Sequence, residues 1–160
     1  MRIGVISDTH LKGCNDQLKR IADDYFRDVD MILHAGDLVN LEVLEAFAGK
    51  EVRAVSGNMD NIEVRKHLPE KMIIELKGFK IGLIHGWGMP FGLEWKLRKK
   101  FDEIHCLIYG HTHHACNKLN DNVLYFNPGS PTDRRFAPLN TVGILEIGDR
   151  IHGKILEIHA

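Results

Sequence analysis

The sequence RIGVISDTH at residues 2–10 contains an apolar run followed by two side chains that can bind a metal. Residues 3–7 have the composition of a buried strand, and Asp8 and His10 come directly after it. A buried strand that ends in a turn delivers its last polar side chain to the edge of the sheet, where open α/β folds usually bind substrates. This stretch therefore predicts an α/β fold with a site at the strand ends.

The same pattern recurs at four further places, mostly after apolar runs. The motifs are Gly36-Asp37, Gly57-Asn58, His85-Gly86 and Gly110-His111-Thr112-His113. Together with Asp8 and His10 they supply seven side chains that can bind a divalent metal through nitrogen or oxygen. Five motifs that place such side chains at the ends of strands indicate a single shared site.

Apolar periodicity divides the chain into two parts. The first part has the order β-α-β-α-β, with strands at 3–7, 31–33 and 52–55 and helices at 16–27 and 41–48, the latter capped by Asn40. A hairpin at 72–76 and 79–84 then predicts a second sheet. The remaining predicted elements are a helix at about 90–100 and strands at 104–109, 123–126, 142–147 and 151–157.

The composition is that of an ordinary globular protein. The 160 residues are 44% hydrophobic and 27% charged, with a net charge of −1. This length predicts one domain over residues 1–160, and the balance of charge excludes a disordered or broadly basic chain. Bulk attraction to nucleic acid or acidic lipid is not implied.

Cysteine usage and the start of the chain bear on the compartment. Cys14, Cys106 and Cys116 form no C-x-x-C pair, which argues against a disulfide framework and a thiolate zinc site. No cationic segment precedes a long apolar run, so we expect neither a signal peptide nor a membrane span. These features predict a soluble cytoplasmic protein.

The types of ligand predict the chemistry. Carboxylate, imidazole and amide groups suit Mn²⁺, Fe, Ni²⁺, Zn²⁺ or Mg²⁺. Seven side chains exceed what one catalytic ion needs, because that ion must keep a position open, whereas two ions sharing a carboxylate would use all seven. A pair of ions lowers the pKa of a bound water and holds phosphate oxygens for in-line attack, so phosphoester hydrolysis is the predicted reaction.

The ordered motifs carry a resemblance. Asp8-x-His10, Gly36-Asp37, Gly57-Asn58-x-Asp60, His85 and Gly110-His111-x-His113 resemble the signature of calcineurin-like metallophosphoesterases. The chain is most similar to the small single-domain YfcE-type phosphodiesterases, whose pattern includes a turn like the one at residues 127–130. The resemblance covers nearly the whole chain. It implies an α/β fold of four layers (αββα), with two mixed sheets packed face to face and helices on the outer faces.

The resemblance also implies which residues hold each ion. One ion would be bound by Asp8, His10 and His113, and the other by Asn58, His85 and His111. Asp37 would bridge the two ions, with manganese the expected metal. A metal-activated hydroxide would then cleave a small phosphodiester, and Asp37, Asn58 and His85 would serve catalysis directly.

One position departs from the pattern of many family members. They carry a histidine after the motif asparagine, where this chain has Met59, and methionine cannot protonate a leaving group. His114, next to His113, is the candidate substitute. YfcE-type proteins usually lack the same histidine, which favours diesters over monoesters.

Other polar residues near the motifs have structural interpretations. For His34 we favour a packed, hydrogen-bonded histidine, and for Asp60 a supporting or capping carboxylate. The turn at residues 127–130 is expected to support the site. Arg134 and Arg135 fit a solvated loop better than a phosphate contact.

Two patterns concern surfaces. The basic segment 96–100 is interpreted as the solvated face of a helix rather than a nucleic-acid patch, because the helical spacing of its apolar residues already explains it. These apolar residues are Leu93, Leu97 and Phe101. Large apolar residues also follow His85 and would form a substrate rim or a contact between copies of the chain. They are Trp87, Met89, Phe91 and Trp95.

Two alternatives to a small phosphodiesterase stay open. The metallophosphatase-like subunit of retromer also resembles this chain, including the stretch FKIGLIHG at residues 79–86, which leaves a non-catalytic scaffold as an alternative. A nuclease of the same superfamily is the other. The complete set of ligands argues against a pure scaffold, and the lack of a broad basic surface argues against a nuclease.

Overall fold

The computed structural model describes residues 1–159. In chain order its elements are β1 (Arg2–Ile6), α1 (Asp16–Tyr25), β2 (Met31–His34), a 3₁₀ helix (Leu41–Phe47), β3 (Glu51–Ala54), α2 (Ile62–His67), β4 (Lys71–Leu76), β5 (Phe79–Ile84), α3 (Leu93–Arg98), β6 (Cys106–Ile108), β7 (Cys116–Asn120), β8 (Val123–Asn127), β9 (Thr141–Ile147) and β10 (Ile151–Glu157). None of the helices within these residues has the length and apolar character needed to cross a bilayer.

The strands form two mixed five-stranded sheets. The first has the order β10-β9-β1-β2-β3, in which β1, β2 and β3 are parallel and β9 and β10 are antiparallel additions. The second has the order β4-β5-β6-β8-β7, with β5, β6 and β8 parallel and an antiparallel strand at each edge. Each sheet therefore contains three adjacent parallel strands, whose carboxyl ends lie at the same edge of that sheet.

The two sheets pack face to face over the main hydrophobic core. Inward side chains such as Ile3 and Leu33 from the first sheet meet Ile81, Ile108 and others from the second. The strand period of two sends alternate residues to the opposite face, where helices cover them. α1 and the 3₁₀ helix cover the first sheet, and α3 covers the second. The predicted four-layer arrangement is confirmed.

Local sequence explains why α1 and the second-sheet hairpin form. The side chain of Asn15 accepts a hydrogen bond from the Leu18 amide and caps α1, whose Leu18 and Ile21 are buried. In the hairpin, Lys77 and Gly78 both have positive φ, which a tight two-residue turn between antiparallel strands requires.

Several predicted boundaries were wrong. The helix expected at 16–27 ends at Tyr25, and the one expected at 41–48 is a 3₁₀ helix, although Asn40 caps it as predicted. The helix expected from about residue 90 begins only at Leu93, because Gly92 before it adopts a left-handed conformation. The strand expected at 104–109 is reduced to Cys106–Ile108.

The sequence analysis also missed two elements, the helix α2 and the edge strand β7. Helix α2 has only six residues and one buried side chain, Val64, and β7 is largely exposed. Neither segment carries the apolar period on which the sequence analysis relied.

The ends of the parallel strands bring the motifs together. Asp8 and His10 follow β1, and Asp37 follows β2. His85 comes directly after β5, which pairs in parallel with β6, the strand that precedes His111. Since the sheets face each other, these turns lie at one edge of the sandwich.

Candidate metal centre

All seven predicted metal ligands meet at this edge of the sandwich. Asp8 Oδ1 lies 3.3 Å from His113 Nε2 and 3.7 Å from His10 Nε2. Asp37 Oδ2 lies 3.2 Å from His85 Nε2 and 3.7 Å from His10 Nε2. The structure thus places nitrogen and oxygen atoms from residues far apart in the chain around one small space.

Asn58 and His111 complete the cluster on one side. The side-chain oxygen of Asn58 lies 3.1 Å from His85 Nε2 and 3.0 Å from His111 Nδ1. Two groups of donor atoms lie within 4.8 Å of one another: Asp8, His10 and His113 form the first, and Asp8, Asp37 and His85 the second.

The two carboxylates each have one oxygen held by the protein and one directed into the cluster. Asp8 Oδ2 accepts hydrogen bonds from Ser7 Oγ at 2.6 Å and from the His111 amide at 3.1 Å. Asp37 Oδ1 accepts one from the Met59 amide at 2.8 Å. The other oxygen of Asp8, Oδ1, is buried with no hydrogen-bond donor. A buried carboxylate oxygen without a partner is costly unless a cation compensates it.

The rings of His85 and His111 likewise have one nitrogen held by the protein and the other directed into the cluster. His85 Nδ1 lies 2.7 Å from the Ala35 carbonyl, and His111 Nε2 lies 2.8 Å from the Gly88 carbonyl. Because a carbonyl can only accept, each of these nitrogens carries its ring's proton. In the neutral rings, His85 Nε2 and His111 Nδ1 therefore direct lone pairs at the Asn58 oxygen.

Lone pairs that face lone pairs need a proton or a cation between them. His10 Nε2 and His113 Nε2 also face each other, at 3.1 Å. Histidine binds a divalent metal as the neutral imidazole, and the other ring nitrogen donates its proton to a carbonyl or a carboxylate. The residues therefore fit one or more divalent cations, and the orphaned Asp8 oxygen is the clearest sign of it.

The pKa values reflect the same concentration of negative charge. Burial lowers the pKa of His85, but its hydrogen bond with Asp37 and the charges of Asp8 and Asp37 outweigh this and raise it to about 9. Burial would raise the pKa of Asp8, but the nearby rings of His10, His113 and His85 and the hydrogen bond from Ser7 hold it well below its usual range. The field that draws a proton to His85 also favours a bound cation.

Unusual backbone conformations place the ligands. Five of the seven have positive φ, a conformation that costs free energy in residues other than glycine. They are Asp8 (55°), His10 (46°), Asp37 (56°), His111 (70°) and His113 (60°). Such a concentration of strain is typical of functional sites, and no sequence pattern indicated it.

Two glycines allow the turns to approach one another. A Cβ on Gly110 would collide with Ser7 Oγ and lie 2.6 Å from Asp8 Oδ2. A Cβ on Gly57 would collide with Asp37 Oδ1. Glycine at these positions is therefore a condition for bringing the ligands together.

Neighbouring polar residues support the turns, as the sequence analysis expected. Asp60 accepts hydrogen bonds from the amides of Asp37 (3.1 Å), Val39 (2.6 Å) and Gly57 (2.6 Å). From the turn at 127–130, Ser130 Oγ donates to the Asp8 carbonyl at 2.8 Å. These bonds tie the turn after β2 to the turn after β3, and the turn after β8 to the turn after β1.

His34 is a packed histidine, as predicted. Its Nδ1 accepts from the Gly36 amide at 3.1 Å, so its Nε2 donates to Thr9 Oγ1 at 3.2 Å. Burial lowers the pKa of His34 to about 3, which keeps the ring neutral.

The loop after the turn at 127–130 adds residues that the sequence analysis did not place. Asp133 Oδ2 lies 3.6 Å from the buried His113 Nδ1 and is paired with Arg135. Phe136 contacts His113 edge to face, with ring centroids 5.2 Å apart. Asp133 belongs to no motif, so only the folded loop brings it to His113. Arg134 turns away and donates to Asn140 at 2.8 Å.

Two depressions open beside the cluster. One, of about 450 Å³, lies over the ligands and is bordered by Met59, His114, Arg135 and Phe136. His114 is exposed there, beside His113. The second, of about 560 Å³, starts at Asn58 and His85 and extends past Trp87.

Sequence comparison relates the chain to known phosphoesterases. A model of the calcineurin-like phosphoesterase superfamily domain matches residues 1–150. A probable metallophosphoesterase of Methanocaldococcus jannaschii is 40% identical over 162 residues, which cover 99% of this chain and 82% of that relative. A phosphodiesterase of the same organism is 30% identical over 173 residues, with 98% and 99% covered.

Solved structures share the fold of this chain. An archaeal phosphodiesterase has a TM-score of 0.79 at 24% identity, covering 99% of this chain and all of the other. Vps29 of Entamoeba histolytica, solved in complex with zinc, has a TM-score of 0.70 at 26% identity, covering 98% and 99%. The likeness to the archaeal enzyme bears on the fold alone.

Proposed function

Because the chain belongs to the calcineurin-like phosphoesterase superfamily, we propose that it is a hydrolase of phosphodiesters that works with two divalent cations. The observation that carries this proposal is the ring of lone pairs around the orphaned Asp8 oxygen. The phosphodiesterase among the curated relatives supports the choice of diesters.

The seven ligands divide between two cations in the proposed centre. Asp8, His10 and His113 would hold the first, and Asn58, His85 and His111 the second. Asp37 would lie between them, since its Oδ2 is near both His10 and His85. When bound, the cations would polarise the phosphate and lower the pKa of the attacking water.

The chain's own residues prepare the site for this chemistry. The carbonyls of Ala35 and Gly88 hold the protons of His85 and His111 away from the site, so neither ring repels a cation. The Met59 amide fixes Asp37, which leaves one carboxylate oxygen for binding. Such preorganisation avoids rearrangement during the reaction.

Departure of the leaving group depends on the open side of the site. Met59 is 60% exposed there and carries no proton to donate. We propose exposed His114 as the residue that protonates the departing oxygen, with water as its competitor. A poor leaving group would then be cleaved slowly.

Manganese is the cation we propose, with zinc, nickel, iron or magnesium as alternatives, because the ligands are oxygen and imidazole. The zinc complex of Vps29 supports a divalent site in this fold. The three cysteines are free, which supports the proposal of a reducing cytoplasm. The proposed substrate is a small phosphodiester.

One observation favours a second candidate, a protein-interaction scaffold similar to Vps29. Large apolar side chains next to the site are exposed, Phe91 by 89% and Met89 by 74%. Such a patch can bind a partner or a second copy of the chain. The two candidates differ in whether the metal ligands are needed for turnover.

The test combines metal analysis with activity. Protein purified without chelator should contain about two divalent ions per chain. It should release p-nitrophenolate from bis(p-nitrophenyl) phosphate faster than from p-nitrophenyl phosphate. Asp8→Asn should abolish this activity, and the exposed Asp102→Asn should retain it as the matched control. Metal-free protein with no diester turnover after addition of Mn²⁺ would leave the scaffold as the better candidate.

A further inference from the structure

The depression that extends past Trp87 has a chemistry that the metal ligands do not explain. We name it the Trp87 groove; its lining includes Asn58, Arg65, Glu70, Lys71, Ile84, His85, Trp87 and Lys100. Asn58 and His85 belong also to the candidate metal centre. A molecule held at the metals can therefore extend into the groove without a gap.

Three cationic side chains, Arg65, Lys71 and Lys100, line the Trp87 groove, and a fourth, Lys96, lies over the ring of Trp87. Lys96 Nζ lies 4.5 Å and Lys100 Nζ 5.4 Å from the centroid of the Trp87 ring. Arg65 donates to the Asn58 carbonyl, and Lys71 donates to the Lys100 carbonyl at 2.7 Å. The contacts of the two lysines with one indole ring hold both ammonium groups close to Trp87.

These cations are not neutralised by ion pairs. Among residues 1–159, none of Arg65, Lys71, Lys96 and Lys100 has a carboxylate within 4.0 Å of its side-chain nitrogens. Glu70, in the groove lining, offsets one of the four charges. The groove keeps a positive excess available to a ligand.

The Lys96 side chain is also close to the metal ligands themselves. Its ammonium lies 3.7 Å from the position of a Cβ on Gly88. The carbonyl of Gly88 accepts the proton of His111. Lys96 thus lies close to His111, a proposed metal ligand. Its charge is within reach of a substrate whose phosphodiester occupies the metal centre.

We propose that the Trp87 groove is an anion subsite that selects phosphodiesters carrying a second phosphate group. This rests on the proposed function, because the metal centre must hold the diester. A terminal phosphate carries about −1.5 to −2 charges near neutral pH, against one for a diester, so it is the group that four free cations distinguish best. Lys96 and Lys100 both lie over the Trp87 ring, so the groove recognises charge rather than a stacked ring.

Two chromogenic substrates test the subsite directly. One is the p-nitrophenyl ester of thymidine 5′-phosphate, and the other is the same molecule with an added 3′-phosphate. Both release p-nitrophenolate, so the leaving group is constant and only the second phosphate differs. The Mn²⁺-loaded protein should prefer the 3′-phosphorylated substrate by about tenfold in kcat/KM at low salt, and the preference should shrink as salt screens the charges.

Substitutions locate the preference in the Trp87 groove. Lys96→Gln and Lys100→Gln should each reduce the ratio of the two kcat/KM values by about three- to fivefold, and the double variant should bring it to about one. Lys118→Gln, an exposed lysine on the edge strand β7, makes the same change in net charge and should leave the ratio unchanged. Equal kcat/KM values in the wild type, or an unchanged ratio in the double variant, would overturn the proposal.

A binding measurement separates failure of the subsite from failure of the proposed function. Calorimetry should show tighter binding of thymidine 3′,5′-bisphosphate than of thymidine 5′-phosphate, with the difference lost in the double lysine variant. Equal dissociation constants would overturn the subsite whatever the activity. Absence of p-nitrophenolate release from both substrates, with the binding preference intact, would refute the phosphodiesterase and leave an anion-binding groove.

Discussion

At the scale of single residues, the candidate metal centre works by holding one polar atom of each ligand and presenting another. Asp37 shows this most simply, with Oδ1 held by the Met59 amide and Oδ2 near two imidazoles. His85 does the same with its two ring nitrogens. The atom that each ligand presents is therefore already oriented toward the centre of the site before a ligand binds.

Asp37→Asn should test the importance of the presented oxygen. The amide oxygen can still accept from the Met59 amide, so the backbone has no reason to move. Loss of the negative charge should lower kcat/KM for an aryl diester by at least about 100-fold, because the substituted side chain no longer neutralises a cation. Metal content and steady-state rates measure this. Activity within a few-fold of the wild type would mean that Asp37 does not bridge two ions.

Met59→His should change the dependence on the leaving group. An imidazole after Asn58 would protonate the departing oxygen, so poor leaving groups should gain about 10²-fold or more and an aryl diester should gain little. The measurement is the slope of log kcat/KM against leaving-group pKa. The parent should show a steep slope and the variant a shallower one. A flat slope in the parent would mean that His114 already protonates the leaving group in full, and His114→Ala should then make the slope steep.

At the scale of the elements, the ligands depend on how closely the strand-end turns approach. Gly110, after β6, touches the turn after β1, where Ser7 and Asp8 lie. The two turns come from different sheets, so their contact sets the distance between the metal ligands of each. A side chain at this contact would separate the sheets at the site.

Gly110→Ala should therefore disturb the site more than the fold. Its Cβ would meet Ser7 Oγ and Asp8 Oδ2, and a ligand displaced by about an ångström can cost about 10²-fold in rate. Gly148→Ala is the matched control, since nothing lies within 4 Å of the added Cβ. Metal titration and diester hydrolysis compare the two variants. Equal behaviour would show that the turns can part without cost.

At the scale of the whole molecule, the core between the sheets lies apart from the strand-end turns. Its side chains, among them Ile3, Leu83 and Phe126, are fully buried and apolar. Burial of this kind stabilises a domain without a metal. The cations we propose would then add function and some stability, but would not hold the fold.

Chelation should leave the protein folded. Protein treated with EDTA should unfold in one cooperative transition, at a lower temperature than the Mn²⁺-loaded form because a bound ligand stabilises the native state. Differential scanning calorimetry of both forms gives the result. Loss of the transition on chelation alone would recast the ions as structural.

Acid should destabilise the metal-free protein partly through His34. The pKa of His34 is lowered to about 3 in the folded state. The stability that the neutral ring contributes is therefore complete above the usual pKa of 6.5. This stability is lost as the pH falls toward 3, because over this range only the unfolded chain takes up the proton. His34→Asn keeps an acceptor for the Gly36 amide and does not titrate. Between pH 7 and about pH 4.5, denaturant unfolding should show the variant losing about 2 to 3 kcal/mol less than the wild type. Parallel losses would place the acid sensitivity elsewhere.

The positions of the seven proposed ligands followed from sequence because each lies in a short motif, in most cases after an apolar run that forms a strand. The presence of a second sheet followed from the hairpin that ends at Ile84, whereas the face-to-face packing of the sheets was implied by the family resemblance. The helix α2 and the edge strand β7 could not be inferred in this way, because short or exposed segments bury too little to impose a period. Local sequence determines an element when its own burial stabilises it.

Other features were decided only by the tertiary structure. Asp133 lies at His113 because a loop without regular structure folds back, and Lys96 and Lys100 meet at Trp87 because α3 packs beside the end of β5. The positive φ angles of Asp8 and its partners persist because packing on several sides holds them. The sequence by itself determined which residues stand at the ends of the strands, since that depends on local burial. How those ends face one another depends on contacts between distant parts of the chain, and this only the folded sandwich could decide.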